Sequence, residues 1–252
     1  MDGRIISLNF TKKTKPLTRN TKIYRTLPLR RLLAMFASKQ NGLARPRLWE
    51  DTFENLLLTS LVDINGSTGN FSFANDLYAQ CWTLESYSDA LWRIYSADQK
   101  GIRIRTTVGK LLDSLSAPDA VHNPISCFIG KVEYLKESEL KKFASKHFLN
   151  GIDTDGENVA ETLLAKRKAF QHEKEVRLIY RSPTTTDNKD DIYLHGLDCH
   201  KTIDRILVHP QLAEMEAQVL IKGISAVTSF KGEISQSKLY RLPKGFKVVI
   251  GT

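Results

Sequence analysis

The chain has 252 residues and 28.6 kDa, enough to bury a full hydrophobic core, and its 41% hydrophobic and 26% charged residues are those of an ordinary soluble globular protein. No apolar run reaches the ~20 residues that a membrane helix requires. Cys81, Cys127 and Cys199 are an odd number, lie far apart and form no CxxC pair, so neither a disulfide framework nor a structural zinc site is indicated. The net charge of +9 and pI near 9.4 favour polyanionic partners: nucleic acid, phosphorylated cofactors or acidic proteins.

The stretch from Met1 to Lys15 mixes charged residues into a short apolar segment, unlike a secretory signal, so the reducing cytoplasm is the expected compartment. The basic residues come in short groups, such as Arg103 with Arg105 and Lys166-Arg167-Lys168, and no helix-turn-helix, RRM or zinc-finger signature accompanies them. Residues 1–20 are expected to be an irregular lead-in, and 21–252 a single domain.

In chain order, Ile23 to Thr26 reads as a short strand closed by Pro28. A helix follows from about Leu29 to Lys39, with Asn41-Gly42 as its stop signal. Asp51-Thr52-Phe53-Glu54 is an acidic and aromatic corner, and residues 63–72 form a turn-rich loop. Leu77 to Thr83 has strand character, Ser86 to Ala97 is a helix with Trp92 and Tyr95 three residues apart, and Ile102-Arg103-Ile104-Arg105 alternates as a strand does. Further helices are expected at Val108–Leu115, Lys136–Phe148 and Pro210–Lys222. Strands are expected at Cys127–Leu135 and Ile203–Val208, with one or two more between Leu239 and Ile250.

Between Ala160 and Ser182 the pattern changes period. A basic helix is expected first, from the apolar Leu163, Leu164, Ala169 and Phe170 among Lys166, Arg167 and Lys168. From Glu173 the alternation is that of a strand, so Glu173 and Glu175 project together with Arg177 next in line. Two carboxylates held close raise at least one pKa unless a cation answers them, which marks the pair as a candidate site; a solvated strand edge with Lys174 and Arg177 as partners is the alternative. His195, Cys199, His200 and His209 match no standard ligand spacing, and no metal is expected. Strands and helices mix without a β-α-β rhythm, and neither GxGxxG nor GxxxxGK[ST] occurs. The expected fold is therefore α+β, with mixed, mainly antiparallel sheets and flanking helices.

Several landmarks together resemble the domain of unknown function 2971 family. They are Tyr24-Arg25, the leucine-rich helix from Leu29, the corner at Asp51–Glu54, Cys81-Trp82-Thr83, Trp92 and Tyr95, Lys100-Gly101-Ile102, and Glu173-Lys174-Glu175-Val176-Arg177. Two positions depart from that family's pattern: Glu50 and Thr52 replace Asn and Pro at the corner, and Val176 replaces a Trp. An Arg on an early strand, a hydroxyl on a middle strand and Glu-x-Glu opening a later one is also similar to ADP-ribosyltransferases. That resemblance implies a split β core with NAD as substrate. It implies Arg25 on the NAD diphosphate, Thr83 beside the nicotinamide ribose, Glu175 on that ribose's 2'-hydroxyl and Glu173 orienting the acceptor. Trp82, Trp92 and Tyr95 would stack on the rings, and Arg177 would assist in binding. Here Cys-Trp-Thr stands where transferases carry Ser-Thr-Ser, and Thr rather than Gly follows Arg25.

The implied function is an NAD-consuming effector that modifies a nucleic acid or protein in bacterial or phage defence or toxicity. The competing class is a noncatalytic nucleic-acid- or protein-binding module whose charged strand is structural.

Overall fold

The computed structural model describes residues 3–8, 16–49, 62–64, 67–69, 76–115, 126–149, 156–182, 190–242, 245, 247 and 250. Its first half comprises β1 (Arg4–Ser7), β2 (Lys22–Pro28), α1 (Leu29–Ser38), β3 (Gln40–Ala44), the hairpin β4 (Val62–Ile64) and β5 (Ser67–Gly69), β6 (Leu77–Thr83), α2 (Asp89–Tyr95), β7 (Gly101–Thr107) and α3 (Val108–Leu115). There follow β8 (Cys127–Lys131), β9 (Glu133–Leu135), α4 (Glu137–Leu149), α5 (Glu157–Glu161), β10 (Ala165–Arg167), β11 (Glu175–Arg181), β12 (Ile192–Gly196), α6 (Cys199–Thr202), β13 (Arg205–Val208), α7 (Glu214–Thr228) and β14 (Glu233–Gln236).

The fold is α+β. Among the described residues a ten-stranded sheet runs in the order β1-β8-β11-β6-β2-β7-β13-β14, with β3 on β6 and β12 on β3. Most pairings are antiparallel; β1–β8 and β13–β14 are parallel. Alternation along β11 sends Val176, Leu178 and Tyr180 into one core with Trp82 and Ile129, covered by α1, α3 and α7. The opposite face carries Ile179, Ala79 and Phe128 into a second core, closed by Phe143 of α4 and Val159 and Ala160 of α5. Because both faces are covered, six of the seven residues of β11 are buried.

The sheet forks. Among the described residues β2 and β6 pair at one position, Tyr24 with Thr83, and four residues back along β6 it is β3 that pairs, Ala44 with Ala79. α1 connects β2 to β3, so the two strands leave β6 at different heights. Arg25 is the first residue beyond the joint.

Several expectations are corrected. Residues 4–7 lie in the expected irregular lead-in yet form β1, because Ile6 is buried in the second core and the strand pairs with β8. The helix of α1 stops at Lys39, which takes φ 55°, so Asn41 and Gly42 lie within β3 instead of ending the helix. Gly42 lies at a close approach of β3 and β12: a Cβ would stand 3.0 Å from Ile192 Cγ2, so the Ile192 side chain would have to give way. α2 starts from Ser88, whose side chain accepts from the Leu91 amide, and not from Ser86. α7 starts at Glu214 rather than at Pro210, its first turn capped by Glu216 reaching back to the Ala213 amide.

The basic helix expected from Ala160 is absent. The chain instead makes the short α5, a 3-10 turn (Thr162–Leu164), the strand β10 paired in parallel with β9, and a second 3-10 turn (Lys168–Glu173). Leu163, Leu164 and Ala165 are all buried, and an extended run is what lets them fill the second core while Lys166 turns toward the carboxylates. The corner at 51–54 and the segments 118–124 and 183–189 lie outside the described residues. The closing strands expected between Leu239 and Ile250 are not found at the positions described there, 239–242, 245, 247 and 250: Leu239 and Tyr240 form a turn, closed by the Arg241 amide donating to the Lys238 carbonyl (3.0 Å). Of residues 63–72, expected to be a turn-rich loop, 63–64 and 67–69 lie instead in the β4–β5 hairpin.

Candidate functional site

β11 begins at Glu175 and β6 ends at Thr83, and these two residues are cross-strand partners. Tyr24 is the next partner in the same row. Cross-strand partners share a face, so Glu175, Thr83 and Tyr24 stand side by side on one side of the sheet. Arg25 follows Tyr24 at the fork, on the face of Ile23 and Leu27 by alternation.

Glu173 does not lie on the same strand as Glu175. It ends the second 3-10 turn, and Lys174 between them adopts φ 44°, a left-handed conformation uncommon for a residue with a Cβ. That kink turns both carboxylates toward one cation, Lys166, whose Nζ lies 2.5 Å from Glu173 Oε2 and 3.4 Å from Glu175 Oε1. The kink is fastened on both sides. The Thr83 hydroxyl donates to the Glu173 carbonyl (2.5 Å), the Leu84 amide to the Lys174 carbonyl (2.9 Å), and Lys174 Nζ pairs with Glu85 (2.5 Å).

Arg177, next on the face of Glu175, donates from Nε (3.0 Å) and Nη2 (2.7 Å) to Glu175 Oε2 and from Nη1 to the Leu163 carbonyl (2.6 Å). Its guanidinium also lies 4.4 Å from the Trp49 ring centroid. The Glu175 amide donates to the Tyr134 hydroxyl (2.7 Å). Glu173, Glu175, Lys166 and Arg177 form a four-charge cluster, with residue exposures of 6%, 4%, 5% and 0% respectively.

Burial alone would neutralise both acids. Glu175 also loses water, but Arg177 and Lys166 outweigh that loss and hold its pKa below the usual carboxylate range. Glu173 has Lys166 alone and a like-charged neighbour, and loss of water pushes it up to about 7. The two neighbouring acids are thus driven apart, one held ionised and one poised to exchange a proton near neutrality.

Tyr95, at the end of α2 and 47% exposed, lies in the field of Glu173 and Glu175, and together with its own partial burial they raise its hydroxyl pKa. Arg25 lies in the field of Cys81 and Tyr95; burial lowers its pKa to about 10, which leaves it charged at neutral pH. Tyr95 is thus electrostatically linked to Arg25 and to both carboxylates, whereas Arg25 leaves β2 from the face opposite to the row of Glu175, Thr83 and Tyr24.

Three expected roles are corrected by placement. Trp82 points away from Thr83 into the main core, its Nε1 donating to Gln80 (2.8 Å), and Trp92 is buried edge-on against His209. Neither ring is exposed for stacking. Arg177 is fully buried and occupied by Glu175, the Leu163 carbonyl and Trp49, so it serves the carboxylate and not a ligand. Lys166 is the residue that the sequence reading missed. Its one signal was the unanswered carboxylate pair seven and nine residues downstream. Among the described residues no three His, Cys, Asp or Glu side chains gather as a metal ion would need. His195 binds Asn41 through Nε2 (3.1 Å) and the Gly196 carbonyl through Nδ1 (3.0 Å).

The model of a family described as protein of unknown function (DUF2971) matches residues 91–178, a span from α2 to the cluster at Glu173, Glu175 and Arg177. None of the curated proteins matches the chain. Among solved structures, DarT of Thermus sp. 2.9 in complex with ADP-ribosylated ssDNA is similar, with a TM-score of 0.41 and 11% identity over 89% of this chain and 97% of that one. The same protein in complex with NAD+ gives 0.39 and 12% over 88% and 98%, and in complex with carba-NAD+ 0.38 and 11% over 88% and 97%.

Proposed function

We propose that the chain is an ADP-ribosyltransferase-like enzyme that consumes NAD, with Glu175 as the catalytic carboxylate. The observation that carries this reading is the division of labour in the buried pair: Glu175 is held ionised by Arg177 and Lys166, while Glu173 exchanges a proton near pH 7. Cleavage of the N-glycosidic bond sends its electron pair to the nicotinamide nitrogen and leaves positive charge on the anomeric carbon and ring oxygen. A fixed carboxylate beside that carbon, in a site poor in water, stabilises the charge as it forms. Glu173 then accepts the proton of the acceptor nucleophile as it bonds to the same carbon, so that nicotinamide, the modified acceptor and one proton are the products.

The forked sheet supports the reading, with Arg25 at the fork and Tyr95 in the field of Glu173 and Glu175. Arg25 is assigned to the diphosphate, for which a guanidinium is a bidentate partner. Thr83 acts through the backbone of the Glu173–Glu175 kink that its hydroxyl holds. The acceptor is a nucleic acid or a protein, and the biological setting is defence or toxicity in a bacterium or phage.

A second reading is favoured by one feature: both oxygens of Glu175 are occupied by the protein's own cations. On that reading the cluster is structural and the chain is a noncatalytic binding module. Release of nicotinamide from NAD, measured with and without nucleic acid and cell lysate, separates the two. The enzyme reading requires release by the native chain and loss in Glu175→Gln; equal inertness of both proteins in every mixture assigns the chain to the binding module.

A further inference from the structure

The row that contains Glu175 continues beyond the cluster. Tyr24 of β2 is the partner of Arg105 of β7, and Arg105 is the partner of Arg205 of β13. Two residues further along, and so on the same face, Thr26 opposes Arg103. Arg103, Arg105 and Arg205 therefore share the face of Tyr24, and they line a groove completed by Tyr87, Ser237 and Lys238.

The cations of this groove are incompletely answered. Arg105 spends Nε on Asp204 (2.6 Å), and Arg205 spends Nη2 on Glu233 (2.5 Å). The Nε atoms of Arg103 and Arg205 are buried and have no hydrogen-bond partner among the described residues. Arg103 is 1% exposed, with its guanidinium 4.9 Å from the Tyr24 ring centroid and one Nη on the Glu85 carbonyl. A buried donor without an acceptor is costly and rarely left so. The two arginines that carry these donors both line the same concave surface.

We propose that this groove is a binding site for the phosphate of a nucleotide, free or within a nucleic-acid strand. The oxyanion accepts from the Arg103 and Arg205 Nε–H groups, Lys238 adds charge at the rim, and the 62% exposed ring of Tyr87 offers a face to the attached base. The site is distinct from the carboxylate cluster. Neighbouring strands lie about 4.8 Å apart, so the row places Arg105 roughly 14 Å and Arg205 roughly 19 Å from Glu175. The first phosphorus of a dinucleotide whose ribose sits on Glu175 is a few covalent bonds from the anomeric carbon, and falls well short of Arg205.

Binding of a fluorescent adenosine monophosphate and of a labelled single-stranded oligonucleotide to the full chain, without NAD, tests the site independently of any transferase activity. Inorganic phosphate serves as the competitor. The double variant Arg205→Gln/Lys238→Gln changes side chains at the rim, and Lys141→Gln/Lys142→Gln removes the same charge from the exposed face of α4. The site predicts binding that phosphate competes away, that falls at least tenfold in the first double variant, and that the second leaves within twofold. Equal affinity for the mononucleotide and the strand identifies a free nucleotide as the ligand, and preference for the strand identifies nucleic acid. Absence of binding by the native chain, or equal loss in the two double variants, overturns the proposal.

Discussion

Lys166 and Glu173 are joined by a 2.5 Å ion pair in which both side chains are almost wholly buried. They come from consecutive short elements, β10 and the 3-10 turn after it, and their contact is what allows the second carboxylate to lie nearby. Lys166→Met removes the only cation paired with Glu173 among the described residues and leaves that acid out of water beside Glu175, which keeps Arg177. The expected cost is about 3–5 kcal/mol, as for other buried pairs broken on one side. Urea unfolding measures it, and a loss below about 1 kcal/mol, the range of an exposed pair, contradicts this placement of Lys166.

The raised pKa of Glu173 has a sign in activity and in stability. As the base for the acceptor it must be unprotonated, so transfer rises with pH through about 7, and Glu173→Gln loses that limb. In stability, folded Glu173 keeps a proton that the unfolded chain releases above its ordinary value of 4.5, so its contribution falls as pH climbs from there to about 7. Glu175 works oppositely: its depressed pKa contributes stability above the ordinary carboxylate value that is lost as pH falls through the folded one. His209, also depressed, likewise gains stability with rising pH. The difference between the native chain and Glu173→Gln isolates the Glu173 contribution. Unfolding profiles that stay parallel from pH 5 to 8 contradict it.

Arg25 is expected to matter for substrate binding and little for folding, since it stands at the fork beyond the paired part of β2 and β6. Arg25→Lys keeps the charge and loses the planar fork of donors. The Michaelis constant for NAD should rise roughly tenfold or more, the worth of one charge-assisted hydrogen bond. Steady-state kinetics against NAD check this, and an unchanged constant removes Arg25 from the binding site.

Gly130 tests the packing behind the cluster. A Cβ there would meet Leu164 Cδ1 at 2.4 Å, and Leu164 is fully buried two residues before Lys166. Gly130→Ala should cost about 1–3 kcal/mol by overpacking and disturb the approach of β10. Thermal unfolding reads the cost, and an unshifted midpoint shows that Leu164 has room to move.

Much of the scaffold was legible because its elements carry strong local patterns. β6 and α3 match the expected boundaries, and β7 extends the Ile-Arg-Ile-Arg alternation by a residue before and two after. On the charged side of β7 Arg103 proved to be buried, because it is covered by Tyr24 and the Glu85 carbonyl, contacts that no local pattern encodes, while Arg105 stays partly exposed. The stretch from Ala160 to Glu173 misled for the same reason. Its composition suits a helix, but burial of Leu163, Leu164 and Ala165 against α4 and the demand of two acids for Lys166 decide its path. β14 was not anticipated, since Glu233–Gln236 is a short edge strand with no fully buried residue. Glu173, Glu175 and Arg177 were legible as a group. That Arg177 pairs with Glu175 was one of the readings the sequence left open, and its two hydrogen bonds to Glu175 Oε2 decide it.

The central claim is that Glu175 stabilises a ribose losing its base. The most direct measurement follows transfer of the ADP-ribosyl group from adenylate-labelled NAD to nucleic acid or protein, comparing the native chain with Glu175→Gln of matched thermal stability. The account predicts incorporation by the native chain and a loss of at least about a hundredfold in the variant, the scale of removing one preorganised electrostatic contact from a transition state. Incorporation that survives the substitution undiminished would contradict it.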